Sequence, residues 1–157
     1  MQAIFRNMNR TSPTHAPAKL PVLAWIAGTL LFLFGLLAAF DYVMRLSSGE
    51  PYYRSSGMND FQVAYYTSVP LWATGGWTLS VWGGLIGAAL LLLRRAPART
   101  FFLLSLLGNL IYDLYIYALS PGREAMGGLW WMPILMTVIT AAMVWYTDRL
   151  RARRVLT

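Results

Sequence analysis

The chain contains no cysteine in 157 residues. Disulfides, cysteine zinc clusters, iron–sulfur ligation and thiol redox chemistry are therefore excluded. Histidine is nearly absent too: the single one, His15, stands in a polar lead outside every apolar run. No bis-histidine haem, histidine metal centre or histidine general base can be built among the apolar segments. The glycine pairs lack the Lys-Ser/Thr that completes a Walker phosphate loop, and Ser80, Ser105 and Ser120 have no base beside them in sequence. An acid pair of Asp41 with Asp113 is the one arrangement that hydrolysis could use. The expectation is a non-catalytic protein that needs no cofactor and no metal. Charge is scarce as well, at 12% of residues against about a quarter in soluble domains.

What fills the chain is hydrophobic, 57% of it. A bilayer core of about 30 Å needs roughly 20 apolar residues in helical form, and four charge-poor runs meet that length: 20–40, 61–93, 100–122 and 125–147. The second is too long for one span, and Pro70 divides it into an interfacial piece and a membrane piece. The predicted fold is all-α, a polytopic four-transmembrane-helix bundle with spans near 20–43, 71–93, 100–120 and 127–147 and an interfacial segment between the first two. A polar basic lead, 1–19, precedes the bundle, and a basic tail, 148–157, follows it. The first run exceeds the 7–15 residues of a signal-peptide core and follows a nineteen-residue lead. It reads as a retained anchor.

Orientation follows from the basic residues, which concentrate on the cytoplasmic side of a membrane protein. Ten of the thirteen flank one side: Arg6, Arg10, Lys19, Arg94, Arg95, Arg99, Arg149, Arg151, Arg153 and Arg154. Arg45, Arg54 and Arg123 fall on the other. Both termini are thus expected in the cytoplasm. The net charge of +7 comes in short clusters between apolar runs, with no basic stripe interleaved with aromatics, so nucleic acid is not an expected partner. Membrane lipids are, and the arginine-rich tail could hold anionic lipid or another protein.

The connection 42–69 is unusually aromatic, with Tyr52, Tyr53, Phe61, Tyr65 and Tyr66. It reads as an aromatic belt at the outer interface or as a lid over an outward cavity. Asn59 followed by Gln62 has the spacing of a capping box, opening a short interfacial helix before Pro70. In the second span, Gly76, Ser80, Gly83 and Gly87 share a helical stripe. Small residues so spaced let a neighbouring helix approach closely. The neighbour could be the first span, with Gly28, Gly35 and Ala39, or another copy of the chain or a partner protein.

The third span carries NLIYDLYIY at 109–117. Ser105, Asn109, Tyr112, Asp113, Tyr117 and Ser120 fall on one wet stripe of an otherwise Leu/Ile/Phe helix. An ionised aspartate in lipid costs about 2.5–3.5 kcal/mol, so this face should turn into the bundle. Asp41, at the outer end of the first span, should sit at a similar depth. The expected intramembrane polar cluster is Asp41, Asn109, Tyr112, Asp113 and Tyr117, with Thr137, Thr140 and Arg45 as further partners. It is either a satisfied network that fixes helix register or a site that titrates or binds a solute.

WTLSVWGGLIGAALLLLRR at 77–95, FDYVMR at 40–45 and FFLLSLLGNLIY at 101–112, in their order along the chain, resemble a family of small uncharacterised bacterial four-span proteins sometimes labelled automatically as sugar transporters. The resemblance covers 20–150. It implies a four-span fold in a bacterial inner membrane and carries no site motif onto individual residues. Two functions follow as expectations. One is an accessory or structural subunit, packing against a larger membrane complex or a second copy. The other is a transporter of protons or small solutes around Asp113.

Overall fold

A computed structural model describes residues 19–156, so the lead to residue 18, with His15, Arg6 and Arg10, lies outside the described residues. Within them the chain is helical and has no strand. Seven α-helices are present: α1 (Val22–Ser48), α2 (Glu50–Ser55), α3 (Asp60–Thr67), α4 (Leu71–Leu92), α5 (Ala98–Leu114), α6 (Gly122–Met126) and α7 (Met132–Ala152). A π-helical turn, Tyr115–Leu119, continues α5, and a 3-10 turn, Gly127–Leu129, follows α6. Prolines 21, 51, 70, 97, 121 and 133 stand at or next to the starts of every α-helix except α3. Proline's missing N–H falls where a helix has no internal acceptor for it, which suits it to these places. α3 starts instead on the capping box: Gln62 N–H donates to Asn59 Oδ1 at 2.9 Å, and Asn59 N–H donates to Gln62 Oε1 at 3.1 Å.

α1, α4, and α5 with its π-helical turn are long and apolar enough to cross a membrane. The segment from Gly122 to Ala152 adds a fourth candidate if its two parts, bent by 80°, form one span. The bend falls at Trp130 and Trp131, between the 3-10 turn and α7, whose first turn carries Pro133. Two elements run further than their apolar runs. α1 continues to Ser48 because Asp41 and Arg45, one turn apart, pair at 2.7 Å. α7 continues through Arg149 and Arg151 to Ala152.

The long helices stand in the order α1, α4, α5, α7, each packed on the next, while α1 and α7 at the two ends make almost no direct contact. The tightest pair is α4 with α5, and the stripe of Gly76, Ser80, Gly83 and Gly87 explains it. A Cβ on Gly83 would lie 2.9 Å from the Ser105 backbone nitrogen, and one on Gly87 would lie 3.1 Å from the Phe102 ring. Gly108 of α5 completes the contact, its missing Cβ making room for the Gly76 carbonyl and the Ser80 nitrogen. The neighbour of the stripe is therefore the third long helix, not the first. Gly28 and Gly35 of α1 meet Leu92 and Leu85 on another side of α4.

Both ends of the assembly are covered by their own chain. At the loop end α3 docks on α6, with Gln62 Nε2 donating to the Ala125 carbonyl at 2.8 Å and the Tyr65 hydroxyl 3.2 Å from Ser120 Oγ. At the other end Val155 and Leu156 fold back into a core with Ala24, Leu91, Phe102 and Leu150. Arg99 and Asp148 form an ion pair there. α4 and α7 also finish alike, each on an arginine in the left-handed region, Arg94 (φ 60°) and Arg154 (φ 54°). The six-residue closing bonds run from Arg95 N–H to Leu90 O at 2.8 Å and from Val155 N–H to Leu150 O at 3.0 Å.

Candidate functional site

The polar residues expected in one cluster divide into two groups. The first lies at the loop end. Asp41 accepts from Arg45 Nε at 2.7 Å and from the Tyr52 hydroxyl at 3.0 Å. The Arg45 guanidinium is also ringed by aromatics, 5.6 Å from the Tyr53 centroid, 5.0 Å from Tyr66 and 5.7 Å from Trp77, distances at which a cation is attracted to a π face. Arg45 is thus held by Asp41 and is not a partner of Asp113. Tyr53 and Tyr65 are buried and turned inward, and Phe61 is the large exposed aromatic of this segment. Burial pushes the Tyr65 hydroxyl up to about 12.

The second group lies among the long helices. Asn109 of α5 accepts a hydrogen bond from Ser80 Oγ of α4 and donates through Nδ2 to Thr140 Oγ1 of α7 at 3.1 Å. Ser105 Oγ donates to the Ser80 carbonyl at 2.8 Å, and Thr140 Oγ1 donates to the Met136 carbonyl at 2.7 Å. One amide therefore ties three helices, and both of its ends are used. Asp113, one turn further along α5, accepts from Thr137 Oγ1 at 2.6 Å through Oδ2. No other hydrogen bond and no ion pair reaches it among the described residues.

Tyr112 and Tyr117 leave this group. The Tyr112 ring stacks on Trp77 with centroids 6.1 Å apart and planes at 19°. Tyr117 belongs to the π-helical turn, which breaks the 3.6-residue register, and its hydroxyl donates to the Trp130 carbonyl near the bend before α7. Ser120 donates to the Tyr115 carbonyl across that turn at 2.7 Å. Nothing in a helical-spacing argument could have signalled the extra residue. Thr137 and Thr140, picked out because they lie on the neighbouring span, do meet the Asn109–Asp113 face. Gly108 was missed, although it lies one residue before Asn109 and is the one glycine of the third span.

Two cavities surround these groups. One, of about 260 Å³, is bounded by α1, α4, α5 and α7 and has Asn109 and Asp113 in its wall. Its remaining lining is mostly apolar, including Leu31, Phe34, Met136 and Met143. The other, of about 340 Å³, lies at the loop end around Arg45, Tyr53, Tyr66 and Thr74. Trp77 and Tyr112 line both, so their stacked rings form a partition between an arginine chamber and an aspartate chamber. Ser80 and Ser105 spend their hydroxyls on the helix network and have no base beside them, so the arrangement can hold a ligand or a proton but offers no activated nucleophile. No protein-family model matches the chain, and neither do the curated proteins or the solved structures.

Proposed function

We propose that this chain is a four-span protein of a bacterial inner membrane, with both termini in the cytoplasm, that binds a small solute or a proton in the chamber at Asp113 and carries out no covalent chemistry. The observation that supports this reading is the difference between two neighbours on one helix. Asn109 has both ends of its amide engaged, whereas Asp113 has one oxygen on Thr137, no basic partner among the described residues, and a place in a cavity wall. An acid used only for packing would be expected to find a cation or further donors, because an uncompensated carboxylate among apolar helices is costly.

The test uses the absence of native cysteine, which makes any introduced thiol unique. Ser56→Cys and Ala96→Cys report the two sides: a membrane-impermeant maleimide added to spheroplasts should label the first and spare the second. Infrared difference spectra of the reconstituted protein, compared with Asp113→Asn, should contain a carboxyl band that responds to external pH or to added solute. A band that responds to neither would defeat the reading.

A second reading is an accessory subunit. It is favoured by α1, which leans on α4 alone among the long helices and leaves Trp25, Leu30, Leu37 and Phe40 exposed along the rest of its length. Native mass spectrometry after gentle extraction separates the two. A stoichiometric complex with other proteins would favour the subunit, and a lone chain or a homodimer would favour the solute site.

A further inference from the structure

The charge pairing and the chamber walls narrow the kind of solute. Among the described residues Asp41, Glu50, Asp60 and Asp148 each pair with an arginine; Glu124 and Asp113 do not, and of these two Glu124 is exposed while Asp113 lines the chamber. Of the tyrosines beside it in the sequence, Tyr112 lines the chamber and Tyr117 does not; α1, α4 and α7 bring no ionisable side chain to it, and α6 brings Met126, its Arg123 lying over the Trp130 ring instead. Trp77, Tyr112 and Phe34 bring π-systems to the same space, and Met126, Met132, Met136 and Met143 bring flexible thioethers that adapt to irregular apolar shapes. A cation is what this combination lacks, and an apolar body is what the remaining wall would accept.

Access points the same way. The loop-end chamber holds Arg45 with its carboxylate partner Asp41 already engaged, so that route offers a cation no free counter-charge on the way past Trp77 and Tyr112. The gap between α1 and α7 is neutral, edged by Leu31, Phe34, Ile139 and Met143, and those two helices make almost no direct contact. A ligand that dissolves in the bilayer can use that gap; a hydrophilic sugar or a phosphate cannot.

We infer that the Asp113 chamber is a site for a lipophilic organic cation, an ammonium or phosphonium centre carried on an apolar body, which reaches it from the bilayer between α1 and α7. The inference rests on reading this chamber as the solute site. The carboxylate pairs with the cationic centre, the Trp77–Tyr112 wall lies beside it, and the methionines enclose the apolar body. A proton and the cation neutralise the same carboxylate, so they compete: when the carboxyl is protonated, each cation bound releases one proton to solvent.

Radiolabelled tetraphenylphosphonium, added to the whole chain in lipid nanodiscs, tests this. Saturable binding is expected, weakened about tenfold or more by Asp113→Asn, kept by Asp113→Glu, and displaced by unlabelled tetraphenylphosphonium but not by tetraphenylborate, an anion of the same shape. The absence of saturable binding, equal binding to Asp113→Asn, or displacement by the borate would overturn the assignment. Asp113→Glu guards against a loss that comes only from misfolding. Ile139→Cys separates the two levels of the proposal. Labelling by a lipid-soluble maleimide without cation binding leaves a solute chamber of another specificity. A thiol that stays unreactive, again without cation binding, removes the chamber as well.

Discussion

Asn109 and Asp113 lie one turn apart on α5 and respond to opposite demands. The amide is used up in holding α4 and α7, so Asn109→Ala leaves Ser80 without its acceptor and should cost about 1–3 kcal/mol, read as a lower unfolding midpoint in mixed micelles. Asp113→Asn keeps an oxygen for Thr137 and should change stability by less than about 1 kcal/mol. The same measurement checks it, and a large loss would make the acid a structural residue. Tyr65 carries the pH expectation. Its hydroxyl, raised by burial to about 12 from a usual value of about 10, stays protonated in the fold where an unfolded chain would ionise. Its contribution to stability is therefore complete below about pH 10 and is lost as pH rises through about 12. Phenolate absorbance compared with Tyr65→Phe should show one late-titrating tyrosine. The sequence pattern was enough to bring Asn109, Asp113, Thr137 and Thr140 onto facing surfaces. It could not divide Asp41 and Arg45 from them, because the i,i+4 ion pair that removes both is as compatible with a buried site as with a local clasp.

Among elements, the α4–α5 contact is where a single methyl group should matter most. An alanine at Gly108 places its Cβ against the Gly76 carbonyl and the Ser80 nitrogen, backbone atoms that cannot swing aside. Gly108→Ala should cost about 1–3 kcal/mol or separate the two helices, whereas Gly75→Ala meets open space within α4 and should be neutral or stabilising by up to about 1 kcal/mol. Thermal unfolding of the two variants side by side tests the claim. α3 depends on its start, so Asn59→Ala should cost about 1 kcal/mol and raise amide exchange over 60–67. The starts of α3 and α4 were readable because the Asn59–Gln62 pair and Pro70 act locally. The 80° bend ahead of α7 and the π-helical turn were not, since each depends on how neighbouring segments meet rather than on spacing along one helix.

At the scale of the whole molecule, α1 and α7 stay apart along the chamber and are drawn together at the end where Val155 and Leu156 fold back. Replacing both by serine should destabilise the fold by about 2–4 kcal/mol, read as a lower unfolding midpoint, and should also speed maleimide labelling of Ile139→Cys by loosening the gap beside it. An unchanged labelling rate would show that the tail closes the end without holding the chamber. The apolar runs and Pro70 made the long helices legible; their order in space, with α4 and α5 central, was not, because glycine stripes occur on both α1 and α4 and only the geometry chooses between them. The left-handed arginines that end α4 and α7 carry a consequence for how such a chain can change. Glycine at position 94 or 154 would relieve about 1 kcal/mol of backbone strain, yet it would also remove a positive charge from the side that the proposed topology places in the cytoplasm, where such charges favour retention. A more stable protein and a more reliably oriented one therefore call for different residues at these two turns, and the chain has arginine at both.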